Sequence, residues 1–209
     1  MKHKLLFVFT LLLGLHIYSQ AQGDFNPKKY KKAIKRERKS KDKEMKKGEQ
    51  SPLSKVDRRK FKRLKYYKVD ITYRVLAKIK LTPDTDFFDM MTSNGKKQKY
   101  RQYGILHFEL QGKKLTLPVY QSQRLMRLPQ YKKYLFTPFT DLTNGQHTYS
   151  AGRYLDLRIP TQNTSSFIID FNKAYNPYCA YNSSYSCPIP PPVNHLNIAI
   201  KAGEKKFKK

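Results

Sequence analysis

The longest regular pattern in the chain is an alternation: Val69, Ile71, Tyr73, Val75, Ala77, Ile79 and Leu81 are separated by Asp70, Thr72, Arg74, Leu76, Lys78 and Lys80. A period of two with charge opposite the apolar positions predicts a half-buried antiparallel strand over 69–81. Residues 86–92 and 97–103 flank Ser93-Asn94-Gly95-Lys96. Asn-Gly supplies the positive φ angles of a type I′ turn, so this pair is expected to be a hairpin. A second hairpin is expected from 105–110 and 115–120 around Gln111-Gly112. Leu106, Phe108, Leu110, Leu115, Leu117 and Val119 form its apolar face, and His107 and Glu109 point the other way. Further strands are predicted at 134–140, 153–159, 167–171 and 196–200, between loops rich in Gly, Asn, Pro and Tyr. No long helical pattern follows Leu64. The fold class expected is therefore mainly β (α+β), an antiparallel β-barrel or sandwich-like domain preceded by a basic helical arm.

Ahead of the strands the period changes. Tyr30, Ala33 and Ile34 stand at i, i+3 and i+4 among good helix formers, which predicts a helix over 27–47 with Asn26 as its cap and Pro27 in the first turn. Repulsion among its lysines makes such a helix weak unless it packs or meets an anion. A second short helix is expected within 53–64, capped by Ser51, with Val56, Phe61 and Leu64 inward. The chain opens on Met1-Lys-His-Lys, an apolar run over 5–15 and then Ser19-Gln20-Ala21, the three parts of a secretory signal with cleavage after Ala21. The apolar run is too short for a permanent membrane span. These boundaries divide the chain into a signal peptide at 1–21, a lysine-rich arm at 22–50 and a β-rich domain at 51–209. The protein is expected to be exported, to the periplasm or the exterior.

Charge sharpens the picture of the arm. Of 43 Lys+Arg against 15 Asp+Glu, 19 and 6 fall within 24–65, so that segment is far more basic per residue than the remainder. Nucleic acid is the usual partner of so basic a chain. Export and the lack of aromatic residues interleaved with the basic ones between Lys31 and Lys60 argue against it here. An anionic envelope polymer or membrane surface, met by the arm between Lys28 and Lys47, is the expected partner.

Ordered blocks in the last third resemble a known bacterial family, domain of unknown function 1684. They are Phe139, Asp141, Thr143, Asn144 and Gly145, then Thr148-Tyr149, then the run from Gly152 through Leu157, and then the run from Asp170 through Tyr181. Cys187-Pro188, Pro191-Pro192, Asn194, Leu196 and Ala202-Gly203-Glu204 follow. The resemblance implies a compact β-rich fold and no assigned activity. The chain departs from the family in its export signal, its lysine-rich arm and His195.

Chemistry is sparse. No serine-hydrolase elbow, phosphate loop, dinucleotide fingerprint or zinc-protease helix is present. Asp141, Asp156, Asp170 and His107 are the candidate catalytic residues of a hydrolase or transferase, the alternative function. The reading preferred is a non-enzymatic binding module. Among 16 tyrosines and no Trp, Tyr149, Tyr154 and Tyr175 cluster in sequence with Asn172 and Asn176. Such flat faces with hydrogen-bonding edges suit a polar small molecule, with Arg153 as the anion contact. Cys179 and Cys187, an even pair in an exported chain, are expected to form a disulfide. A metal pair with His195 and a fourth ligand such as His107 or Asp170, or free thiols, are the alternatives. No cofactor or metal is expected.

Overall fold

The computed structural model describes residues 25–160 and 165–207; the expected signal peptide lies outside the described residues. Helix α1 runs over Pro27–Lys47. Asn26 Oδ1 accepts the N–H of Lys29 at 3.0 Å, a cap worth about 1 kcal/mol. The helix ends at Gly48, where a Cβ would lie 2.6 Å from the Glu44 carbonyl oxygen. Its inner side buries Ile34 and Met45, each contributing roughly 1.5–3 kcal/mol. Packing is thus what holds a lysine-rich helix that repulsion among its charges would leave weak.

Helix α2 is the short segment Lys55–Lys60 and is capped by Ser54, three residues later than the sequence suggests. Ser51 is engaged elsewhere, donating its hydroxyl to the Met45 carbonyl at 2.5 Å and fastening the turn after α1. Val56 points to solvent, whereas Phe61 and Leu64 pack with Met45, Leu53 and Tyr181.

The strands are β1 (Arg74–Leu81), β2 (Phe88–Met91), β3 (Lys97–Leu110), β4 (Lys113–Ser122), β5 (Tyr134–Asp141), β6 (Arg153–Arg158), β7 (Ser166–Asp170) and β8 (His195–Leu196). A single turn of helix, α3 (Gln123–Met126), follows β4. The sheet order is β6-β5-β4-β3-β1-β7, antiparallel throughout, with β2 on β3 and β8 parallel to β5. The mainly β, helix-bearing architecture agrees with the sequence.

Three local differences have physical causes. The alternation over 69–81 becomes regular strand only at Arg74, because the Asp70 side chain accepts from the Thr72 N–H and turns Ile71–Tyr73 into a short 3-10 helix. The type I′ turn sits at Gln111 (φ 53°) and Gly112 (φ 74°); at 94–95 only Gly95 is left-handed. There Asn94 Oδ1 accepts from the Thr92 hydroxyl at 2.9 Å and shapes the turn with its side chain. The strand expected at 196–200 stops after Leu196, since the Ile200 N–H turns to the Asp141 carboxylate at 3.1 Å.

The two hairpins share β3, which carries a bulge between Gln102 and Gly104. Leu106, Phe108, Leu110, Leu117 and Val119 face the main core together with Leu135, Phe139, Leu155, Phe167, Ile169 and Phe171. Residues of β6 and β7, opposite ends of the sheet, share that core, so the sheet is curled into a half-barrel. Just beyond β7, Tyr175 exchanges both backbone hydrogen bonds with Tyr154 of β6, at 2.9 and 3.0 Å. Helix α1 lies across the remaining gap. Tyr30, Ala33, Ile34 and Glu37 line a cleft with Leu155, Asp156 and Leu157 of β6 and Ile168 and Asp170 of β7. Two sheet edges that would otherwise invite foreign strands are thereby covered.

Candidate functional site

Residues 139–156 and 170–187 do meet, on a scaffold of aromatic rings. Tyr154 stands 4.7 Å from Phe136 and 5.8 Å from Tyr175, ring centre to ring centre, both edge-on. With Met90, Tyr100, Tyr120 and Cys187 these rings make a second, smaller core. The Tyr134 and Tyr175 hydroxyls both donate to Asp156 Oδ1, at 2.7 and 2.8 Å. Burial raises both phenols, and the adjacent Asp156 charge raises them further. The Tyr149 hydroxyl points at Cys179 Sγ, 3.7 Å away.

Much of the polar chemistry proposed for this region is committed to the fold. Arg153 is fully buried and ion-paired to Asp141 at 2.7 Å. Its guanidinium also donates to the carbonyls of Ile200 (3.0 Å) and Ala202 (2.5 Å), pinning the C-terminal segment. Asp141 Oδ1 accepts from the N–H groups of Thr143 and Ile200. Asn172 accepts from the Asp70 N–H and donates to its carbonyl. Asn176 offers its backbone N–H to Glu204 Oε2 at 2.5 Å and its side chain to the Lys205 carbonyl. Buried arginine and asparagine with such partners satisfy backbone groups that strands do not reach.

The catalytic candidates do not converge. His107 is exposed on β3, opposite Lys78 and Thr116. Asp156 and Asp170 do line one cleft, that between β6, β7 and α1, of about 340 Å³, with Arg74 and Lys173 at its wall. Asp170 is already occupied: the Tyr30 hydroxyl donates to its two oxygens at 2.8 and 2.9 Å, and Oδ1 also takes the Asn172 N–H at 3.1 Å. Asp156 holds the Tyr134 and Tyr175 hydroxyls, Arg74 lies over the Phe25 ring at 4.7 Å, and His107 and Asp141 are not among the residues lining this cleft.

Cys179 and Cys187 lie side by side with no bond between their sulfurs. The Cys179 N–H donates to Cys187 Sγ at 3.1 Å, and Cys187 N–H to Ser93 Oγ at 3.1 Å. His195 instead bonds Thr140 at 3.0 Å. Among the described residues no three His, Cys, Asp or Glu side chains gather as metal ligands would.

A basic groove lies along α1 and the segment after α2. Arg36, Lys39, Lys43, Lys46, Lys47 and Lys62 line a groove of about 490 Å³. It continues past Lys39 into a second groove of about 530 Å³ lined by Lys35, Arg63, Lys65, Lys68 and Lys205. Asp42 is the carboxylate on both stretches, and its Oδ1 accepts the Leu64 N–H at 2.8 Å.

Sequence reading missed how the helix is seated. Arg38 reaches the carbonyls of Tyr67 (2.8 Å) and Asn172 (3.1 Å). Lys41 stands 3.0 Å from Oε1 of the fully buried Glu204, whose Oε2 takes the Tyr181 hydroxyl at 2.9 Å. Tyr30, Ile34, Arg38, Lys41 and Met45 continue the Tyr30–Ile34 stripe along one face. That stripe was visible in the spacing, but its long charged members disguised it as surface.

The solution NMR structure of an uncharacterised protein from Haloarcula marismortui is similar to this chain, with 32% identity over 85% of this chain and 95% of that one and a TM-score of 0.65. No curated protein matches the chain. The family described as protein of unknown function (DUF1684) matches residues 59–205, which hold the whole sheet, the Arg153–Asp141 pair, Glu204 and both cysteines. The chain belongs to that family.

Proposed function

We propose that the protein is an exported, non-enzymatic binding module whose basic groove beside α1 holds an anionic polymer of the cell envelope. The observation that carries this reading is the continuous groove on both sides of Lys39, walled by exposed ammonium and guanidinium groups, with its carboxylate already hydrogen-bonded. Neighbouring cations spaced within a Debye length of about 8 Å add their potentials, so a chain of regularly spaced phosphates or carboxylates gains from several at once. A nucleic acid fits less well. The rings within the groove are Tyr66 and Tyr67, and they carry Arg38 at 4.4 Å and Lys205 at 4.6 Å over a face that a base would stack on. Export rests on the basic, apolar and small-residue sequence of 1–21.

The test uses the chain expressed with its own leader in a bacterial host. It is expected outside the cytoplasm with Gln22 at its N-terminus, and to be retained on immobilised polyphosphate with a strong dependence on salt. The fourfold variant Lys39→Ser, Lys43→Ser, Lys47→Ser and Lys62→Ser removes exposed side chains only. It should weaken retention at least about tenfold at low salt and leave thermal unfolding unchanged. Equal retention by the variant, or a preference for single-stranded DNA over polyphosphate, overturns the reading of the groove; a cytoplasmic, uncleaved product overturns export.

A further inference from the structure

We infer that Cys179 and Cys187 are an exchangeable dithiol that reduces a disulfide, with Cys179 as the entering nucleophile and Cys187 as the resolving thiol. This inference is independent of the basic groove. Four observations carry it. The two sulfurs already lie side by side as thiols, held by the Cys179 N–H on Cys187 Sγ at 3.1 Å. The pair is asymmetric, with Cys179 half-buried beside the exposed Tyr178, and Cys187 only 7% exposed within the aromatic core. The Tyr149 hydroxyl points at Cys179 Sγ. The segment is also anchored on its far side, where the Ser93 N–H donates to the Cys187 carbonyl at 2.8 Å and the Ile189 N–H to Met91 at 2.8 Å.

Hydrogen bonding explains the asymmetry of reactivity. The Cys187 thiol donates to Cys179, and the Tyr149 and Ser93 hydroxyls add to it. Against the opposing effect of burial, they hold the Cys179 thiol down at about 6 from an ordinary 9. The same shared bond, with burial, pushes the Cys187 thiol up. The titratable groups facing the pair are Tyr149 and Tyr154, both raised by burial and neutral at pH 7. A half-exposed thiolate with a buried protonated neighbour is the arrangement that thiol–disulfide exchange requires.

The step balances. The Cys179 thiolate attacks one sulfur of a disulfide RS–SR′, forming a Cys179–SR bond and breaking S–S. The departing R′S⁻ leaves as R′SH with the proton Cys179 gave up. Cys187 then loses its proton, attacks Cys179 Sγ and releases RS⁻, which takes that proton as RSH. The protein loses two electrons and forms the Cys179–Cys187 disulfide, and the disulfide substrate gains both. A disulfide at this position, the expectation from sequence, is on this account the oxidised product of that single exchange.

The experiment treats the reduced full-length protein, without denaturant, with the aromatic disulfide 5,5′-dithiobis(2-nitrobenzoate). Wild type is expected to release two equivalents of thionitrobenzoate and to retain none of the probe by mass. Cys187→Ser should release one equivalent and keep the other as an adduct on Cys179. Cys179→Ser should react at least about tenfold more slowly than Cys187→Ser at pH 7, and Tyr149→Phe should slow the first step without changing the stoichiometry. Glutathione disulfide and a protein disulfide such as that of insulin are then compared as oxidants; the faster one identifies a small or a protein substrate. Wild type that keeps an adduct, Cys179→Ser that reacts as fast as Cys187→Ser, or reaction with neither biological disulfide overturns the proposal.

Discussion

Arg153 shows how far a residue's role depends on partners distant in sequence. Beside Gly152 and Tyr154, at the start of an expected strand, it reads as an anion contact, whereas its guanidinium lies fully buried against Asp141 and the carbonyls of Ile200 and Ala202. Those partners lie on other segments, and nothing local to residue 153 announces them. Arg153→Met leaves the Asp141 carboxylate buried and unpaired, so it should lower unfolding free energy by about 3–5 kcal/mol. Urea denaturation checks this; a loss under 1 kcal/mol would mean that the pair is solvated. The caps divide in the same way. Asn26 was legible because a cap needs only its own helix. Ser51 was misread because its hydroxyl is claimed by Met45, a tertiary neighbour rather than a local one.

At the scale of elements, alternation and turn composition gave most of the sheet. The helix over 27–47 was legible to the residue, and so was the shared apolar face of β3 and β4. The single long β3 was not, since the bulge at Gln102–Gly104 joins two segments that look like arms of separate hairpins. Nor was the seating of α1 between β6 and β7, which depends on Tyr30 meeting Asp170 and Lys41 meeting Glu204. Deleting 27–47 strips the cover from Glu204 and Asp170 and from the cleft beside them. The remaining chain should lose its cooperative melt by circular dichroism rather than behave as a free-standing domain. A truncated chain melting within a few degrees of the intact one would show that α1 is an accessory.

Across the whole molecule, buried phenols are a reservoir of pH-dependent stability. Burial raises the tyrosines at 30, 66, 67, 100, 120, 134, 149, 154, 175, 178 and 181 above their ordinary 10, Tyr100 and Tyr149 to about 12. The unfolded chain releases these protons first. Their stabilisation is therefore fully present below pH 10 and is lost as pH climbs past it. Urea midpoints should hold steady up to about pH 9 and fall steeply by about pH 11, with phenolate absorbance rising together with the loss of circular dichroism. Phenolate absorbance that reaches its full amplitude while the spectrum stays native would contradict this. Segment 200–205 ties the closing of the fold to the order of synthesis. Glu204, the carbonyls of Ile200 and Ala202, and Lys205 complete the seats of Lys41, Arg153 and Asn176. A ribosome delivers α1 and β6 before these acceptors, so a nascent polypeptide that has emerged only as far as β8 still lacks these partners of Lys41, Arg153 and Asn176.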